Sequence, residues 1–418
     1  MKAIQAVTVI AISFLMVGCG EDQSSRGLQW FQDSEVYNGW YHPAHNPPET
    51  EVLQNFPFIV WTQPTEHLEA VRELQAEGVR ALPYISFYIG YSNPPTSDEP
   101  EYTGSWLHLE SPYWSTMNIA DHAEWVLIGA DGKERWNFGY RQLCNNSPEF
   151  QETVETALRR LMDLGFDGVF IDNVHPDEQC YGPKFGRHEH VRPDDSHTDS
   201  FIRTLKLAQD VVKSYGADKV VLHNSGGPNK LFAPYADGSM WESYICSWAW
   251  PGRSLSWGKS DLTWEEVKQG AEQWSDYIES GKQVIALSYL YNFPGGTEAT
   301  YGMKLYENAF LTYACARYSG FLWADWFTIG YDRARILYRV RLGKPISTMI
   351  DRDDIHLRQF EGGLVAINSG KTAFEGELEV ETPCDKILDV YSYKHLDVDA
   401  GRIKVSIPAW SGRVYWVD

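Results

Sequence analysis

The sequence predicts an α/β fold: a (β/α)8 TIM barrel followed by a small C-terminal antiparallel β-sandwich. Three observations carry that prediction. From about residue 56, short apolar runs alternate with amphipathic runs of helical period, making eight strand–helix units over about 280 residues. The turn after the first of these runs, WTQPTEH, lacks the GxGxxG that marks a doubly wound open sheet. After residue 344 the pattern becomes short alternating runs such as IHLRQF, GLVAIN and RIKVSI, separated by Gly, Asp, Asn and Lys, as antiparallel strands require.

Taken in order, FIVWT (58–62) is the first predicted strand, and EHLEAVRELQAEG (66–78) is a helix closed by Gly78. VRALPYISF (79–87) is the second strand. A long excursion rich in Pro, Tyr and Trp then runs to about residue 139, and YRQLCNN (140–146) reads as the third strand. SPEFQETVETALRRLMDLG (147–165) is the clearest helix, with Ser147 as its cap, Pro148 in its first turn and Gly165 at its end. The fourth strand, 167–173, lies in GFDGVFIDN (165–173), the fifth in KVVLHNSGG (219–227) and the sixth in GSMWESYI (238–245). QVIALSYL (283–290) and GFLWADWF (320–327) complete the set, with helices at 199–216, 262–281 and 306–320.

Bulk properties narrow the classes. A chain of 418 residues, 43% hydrophobic, can bury one large core and a smaller one. Its 36 basic and 57 acidic residues give a net charge of −21, which argues against nucleic acid or an anionic membrane surface as partner. Lys2 and the uncharged apolar run Ala6–Gly18 suit a signal peptide, being too short to span a bilayer. The run ends Met16-Val17-Gly18-Cys19, which resembles a bacterial lipobox, so Cys19 is the expected lipidation site of an exported, outer-membrane-anchored lipoprotein. The expected division is leader 1–19, barrel 20–343 and β-domain 344–418.

The five other cysteines show no CxxC spacing, which argues against a zinc ribbon or redox motif. Cys144 and Cys180 are the best disulfide candidates, since both flank predicted neighbouring strand ends. HEHVRPDDSHTD (188–199) matches no metal-ligand spacing and reads as a solvated or substrate-contacting loop. FIVWTQ also lacks the HxH that metal-dependent hydrolase barrels place on a first strand. The expectation is therefore a monomer with no metal and no organic cofactor.

In a parallel barrel the active site lies at the C-terminal strand ends. There the strands offer Trp61, Tyr88, Arg141, Asp172 with Asn173, His223 with Asn224, Glu242, Tyr289 and Asp325. A carboxylate ending a buried strand is costly unless hydrogen-bonded or needed. Two of them facing one cleft, Asp172 and Glu242, suit glycoside cleavage, with Asp172 as nucleophile and Glu242 as general acid/base of a retaining mechanism. The mouth is dense in Trp, including Trp106, Trp114, Trp241, Trp257, Trp323 and Trp326. Trp248 and Trp250 in SWAWPGRS are the best sugar-stacking platforms. The remaining named residues are read as carbohydrate contacts.

GFDGVFIDNV resembles the fourth-strand motif of glycoside hydrolase family 114, the endo-α-1,4-polygalactosaminidases, and of related glycosidase barrels. The resemblance implies a barrel glycosidase acting on an α-linked poly- or oligosaccharide. It also implies a catalytic pair formed by the Asp ending the fourth strand, Asp172, and the Glu ending the sixth, Glu242 in MWESY. It covers the barrel in outline but not the C-terminal domain, which looks more like the β-domain trailing many α-glycosidase barrels. The α-amylase pattern has Arg two residues before the nucleophile, where this chain has Phe170. A surface glycan-binding lipoprotein on the same barrel is the alternative, and only the enzyme needs both carboxylates at reacting distance.

Overall fold

The structure, a computed structural model, describes residues 28–41, 53–61, 68–90, 122–137, 140–174, 178–245, 264–288, 298–325 and 334–417. Eight parallel strands close into a barrel. They are β1 (Val36–Tyr41), β2 (Phe58–Trp61), β3 (Arg80–Ser86), β4 (Gly168–Asp172), β5 (Val220–Asn224), β6 (Gly238–Trp241), β7 (Gln283–Ser288) and β8 (Leu322–Asp325). Each lies beside its neighbours in sequence, and β8 pairs with β1. Helices α1 (Leu68–Ala76), α2 (Pro148–Asp163), α3 (His197–Ser214), α4 (Trp264–Glu279) and α5 (Glu298–Ser319) accompany them.

The two-residue period of a strand divides the side chains between two cores. Phe58, Val60, Leu82, Phe170, Leu222 and Leu287 fill the barrel interior. Their neighbours Ile59, Ala81, Val169, Ile171, Val221 and Ala286 join the core outside it. Each large side chain so buried contributes about 1.5–3 kcal/mol. A single turn, Gln29–Gln32, plugs the N-terminal end of the barrel. Its Phe31 belongs to the interior core, and Gln283 Nε2 donates to the carbonyls of Phe31 (3.3 Å) and Gln32 (2.8 Å).

The barrel differs from the sequence expectation in one strand at each of two places. YRQLCNN is not a barrel strand. β3 pairs directly with β4, Ser86 opposite Asp172, so no strand can lie between them. Tyr140–Gln142 instead forms a small antiparallel sheet with Ile89–Gly90 and Trp136–Asn137. The strand that fills the count is β1, VYNGWY, where Asn38 and Gly39 interrupt the apolar run that pattern reading looks for. One strand gained before and one lost after leave Asp172 at the end of the fourth. The cap of α2 follows its sequence signals: Ser147 Oγ accepts from Phe150 N at 3.4 Å, with Pro148 at the first turn.

The C-terminal region holds β9 (Ile350–Arg352), β10 (Ile355–Phe360), β11 (Gly363–Asn368), β12 (Phe374–Glu379), β13 (Lys386–Asp389), β14 (Lys394–Asp397), β15 (Arg402–Ile407) and β16 (Ser411–Trp416). Six form an antiparallel sheet in the order β9-β10-β11-β16-β13-β14, and β12 pairs with β15. Leu357, Leu364, Leu378, Ile387, Ile403 and Ile407 from the two sheets share a core. On the other face Val365, Ile367 and Val414 join the core that surrounds the barrel. Glu35 accepts from Leu342 N (3.0 Å) and Gly343 N (2.7 Å) and faces Arg317 at 3.7 Å, tying the start of β1 to the segment leading into the second domain.

Among the described residues no helix is long and apolar enough to cross a membrane. Cys144 and Cys180, the candidate disulfide pair, do come together, but as free cysteines.

Candidate active site

Strand alternation builds the site. Leu82, Phe170 and Leu222 point into the barrel, so the residues two further on, Tyr84, Asp172 and Asn224, point the same way nearer the C-terminal end. Met240 is the inward residue of β6, and Glu242 follows it by two, just past the strand. Four polar side chains thus converge on an apolar floor, where the Phe170 ring stacks on Tyr84 with centroids 5.9 Å apart.

Asp172 is only 5% exposed, and its carboxylate is surrounded by donors. The Tyr84 hydroxyl donates to Oδ2 in a short hydrogen bond. Asn173 Nδ2 donates to the same oxygen at 2.9 Å, and Asn224 Nδ2 donates to Oδ1 at 2.8 Å. The same Asn224 nitrogen donates to Glu242 Oε2 at 2.7 Å. One amide nitrogen therefore bridges the two carboxylates, and the bridged oxygens can be no further apart than about 5.5 Å, the two bonds end to end. Asn224 Oδ1 accepts from Gly226 N at 2.9 Å, which fixes the orientation of the amide.

The electrostatics follow from this burial. Asp172 is pushed up to about 7, by desolvation first and by the nearby Glu242 charge second, against the downward pull of the Tyr84, Asn224 and Asn173 hydrogen bonds. Burial and then the Asp172 charge push the Tyr84 phenol well above its ordinary value, so it remains a donor. Backbone strain accompanies both carboxylates: Asn173 has φ +57° and Ser243 has φ +59°, left-handed conformations unusual for residues other than Gly.

The other residues singled out in the sequence divide by where alternation sends them. Asn173 and Asn224 are at the site, with their amides spent on the carboxylates. Trp61 and His223 point outward and are fully buried between barrel and helices, so neither lines the cleft. Desolvation holds His223 down at about 3, so its ring is neutral. Trp241 and Trp323 belong to the same outer layer: a Cβ on Gly270 would lie 2.6 Å from the Trp241 ring, and Trp323 Nε1 donates to Thr312 Oγ1 at 3.0 Å. Tyr88 is buried and accepts from Gln142 Nε2 at 2.6 Å. Arg141, on the small sheet, pairs with Glu134 at 2.9 Å and lies over Trp136. Cys19, Trp106, Trp114, Trp248, Trp250, Trp257, Tyr289 and Trp326 lie outside the described residues, as does the side chain of Asp325, whose backbone ends β8 beside Ser288 and Asn38.

Tyr84 is the site residue that sequence reading passed over. Its signal is the two-residue register with Leu82 inside an apolar run; the expected strand, 79–87, runs one residue past the observed end at Ser86, and the sequence points to Tyr88 beyond it instead.

A model of the hypothetical glycosyl hydrolase family 15 (GHL15) matches residues 91–364. No curated protein matches the chain. Among solved structures, Amy13B of Eubacterium rectale is similar over 93% of this chain and 96% of its own, with TM-score 0.58 and 11% identity. The noncanonic maltogenic α-amylase AmyB of Thermotoga neapolitana is similar over 93% and 99%, with TM-score 0.56 and 10% identity. The α-amylase of Geobacillus thermoleovorans, solved with acarbose, is similar over 92% and 98%, with TM-score 0.54 and 10% identity. At these identities the likeness is one of fold.

Proposed function

The chain belongs to the hypothetical glycosyl hydrolase family 15 and is a glycoside hydrolase, and we propose that it cleaves an α-linked poly- or oligosaccharide with retention of configuration. Asp172 is the nucleophile and Glu242 the general acid/base. The observation that carries this reading is the single Asn224 amide joining both carboxylates. Bridged oxygens no further than about 5.5 Å apart support the retaining reading, whose carboxyls lie about 5–5.5 Å apart, over an inverting one, which needs roughly 6.5–9.5 Å to seat a water.

In the first step Glu242 gives its proton to the glycosidic oxygen while an Asp172 oxygen bonds to the anomeric carbon and the leaving sugar departs. In the second, Glu242 takes a proton from water, whose oxygen attacks that carbon and releases Asp172 as a carboxylate. Three donors on Asp172 suit the ionised nucleophile, and the bridging amide keeps Glu242 at a fixed reach. Because Asp172 must be ionised, kcat/KM should rise with pH up to about 7.

Release of reducing ends from a panel of purified polysaccharides, including α-1,4-linked galactosaminan and α-glucans, tests the reading. The resemblance of the fourth strand to family 114 is what puts the galactosaminan first. Glu242→Gln should lower turnover about 10²–10⁴-fold, and Asp172→Asn at least as much, with glycan binding retained. Binding without product by the wild-type chain would instead support a surface glycan-binding protein. The lipobox-like Met16–Cys19 supports export and lipid anchoring at Cys19. Metabolic labelling with a radioactive fatty acid, lost on Cys19→Ala, would test that.

A further inference from the structure

On the C-terminal side of the barrel, the loops that follow β3 and β4 bring four metal-type ligands together. Cys144 closes the excursion between β3 and α2, while Cys180, His188 and His190 lie on the loop that follows β4. Their sulfur and ring-nitrogen atoms all lie within 4.8 Å of one another. Cys144 Sγ is 3.6 Å from His190 Nε2, and Cys180 Sγ is 3.4 Å from His188 Nε2. A tetrahedral Zn²⁺ with Zn–S of about 2.3 Å and Zn–N of about 2.0–2.1 Å separates its sulfur and nitrogen ligands by about 3.5 Å. We propose that Cys144, Cys180, His188 and His190 form a structural Zn²⁺ site of the Cys2His2 type that fastens the two loops at the rim of the active site.

The surroundings are those of a thiolate ligand. Backbone N–H groups of Ile128 (3.5 Å) and Gly182 (3.4 Å) donate to Cys180 Sγ, the outer-shell hydrogen bonding that metal-bound sulfur takes. A Cβ at Gly182 would lie 2.3 Å from the His188 ring, so a side chain there would push that ring away from the sulfur. His188 is 8% exposed, and its Nε2 is turned to the sulfur. Two thiolates and two neutral imidazoles leave the Zn²⁺ ion neutralised, with the thiol protons released to solvent on binding. Four protein ligands close the coordination sphere, which makes the site structural rather than catalytic. A Cys144–Cys180 disulfide, the competing chemistry in an oxidising compartment, would leave both rings facing a group that neither needs nor orders them.

The same two loops are stitched around the site by Tyr181 N to Ile128 O (2.7 Å), Val191 N to Asn146 O (2.8 Å) and Asn146 Nδ2 to Arg192 O (2.8 Å). Cys180 is eight residues beyond Asp172, so the metal would hold the chain that leaves the catalytic strand.

The test is metal analysis of the full chain, purified without chelator or added reductant, together with the visible spectrum after exchange into Co²⁺. The expected result is about one Zn per chain and the intense d–d and thiolate charge-transfer bands of tetrahedral Co²⁺. His190→Ala, at the half-buried rim, should reduce the metal to less than about a tenth of an equivalent, and Cys384→Ser, a distant cysteine, should leave it unchanged. The wild-type spectrum needs no variant to fold. A metal-free chain with Cys144 and Cys180 found as a disulfide by peptide mass would overturn the proposal. So would a chain with both thiols free that takes up neither Zn²⁺ nor Co²⁺.

Discussion

The Tyr84 hydroxyl is one of three donors that pull Asp172 toward its ionised form. Replacing Tyr84 with Phe removes that pull without changing the stacking on Phe170, so the acidic limb of the pH–kcat/KM profile should move to higher pH and kcat should fall about 10–100-fold. An unchanged profile would mean that the phenol has no part in tuning Asp172. Asp172 also makes stability depend on pH. Its folded value, about 7, lies above the ordinary 3.8, so its protonated form favours folding. That contribution is complete below the unfolded value and is lost as pH rises through about 7. The melting temperature should therefore decline from pH 5 to pH 8, and Asp172→Asn should flatten the decline, as scanning calorimetry at the two pH values would reveal. Asp172 and Glu242 were legible in the sequence because each is a charge ending an apolar run. The Cys/His group was legible only in part: Cys144 and Cys180 pair as neighbouring strand ends, but no spacing within 188–199 announces His188 and His190 as their partners.

At the scale of elements, GFDGVFIDN divides into a structural half and a chemical half. Asp167 anchors the start of β4: it accepts from Arg80 Nη1 (2.8 Å), Gln75 Nε2 (2.7 Å) and Ala81 N (3.0 Å). Gly168, at φ +147°, lets β4 approach β5 so closely that a Cβ would sit 2.0 Å from the carbonyl oxygen of Val220. Asp167→Ala should thus cost about 1.5–3 kcal/mol in a denaturant titration while leaving the pH profile of the residual activity in place. The apolar middle fixed the strand type in advance. What pattern could not decide was which runs share a sheet: YRQLCNN has strand composition but pairs with the excursion, and VYNGWY pairs in the barrel despite Asn38 and Gly39. Pairing is set by neighbours distant in sequence, which local periodicity does not contain. The same alternation rule that identified strands also decides which ends face the cleft, and a one-residue change of register sends Trp61 and His223 outward.

For the whole molecule, the barrel and the second β-region are joined by a shared core. α5 lies directly on β16, where a Cβ on Gly412 would meet the Leu311 Cα and the Phe310 carbonyl oxygen, both at 2.7 Å. Neither is a side chain that can turn away, so Gly412→Ala should force the helix and strand apart and lower stability by about 1–3 kcal/mol in a thermal or urea melt. No loss would mean that this contact is looser than it looks. The acidic surface, with a net charge of −21, suits a neutral or cationic glycan better than a polyanionic one.

The proposed retaining mechanism requires Asp172 to become covalently bound to sugar. Incubation with a fluorinated glycosyl fluoride of the sugar that the polysaccharide panel identifies, followed by intact mass and peptide mapping, measures this directly. The predicted result is one added glycosyl unit per chain, on the peptide containing Asp172, and none in Asp172→Asn. An adduct on another residue, or an active enzyme that forms no adduct and releases its product with inverted configuration, would contradict it.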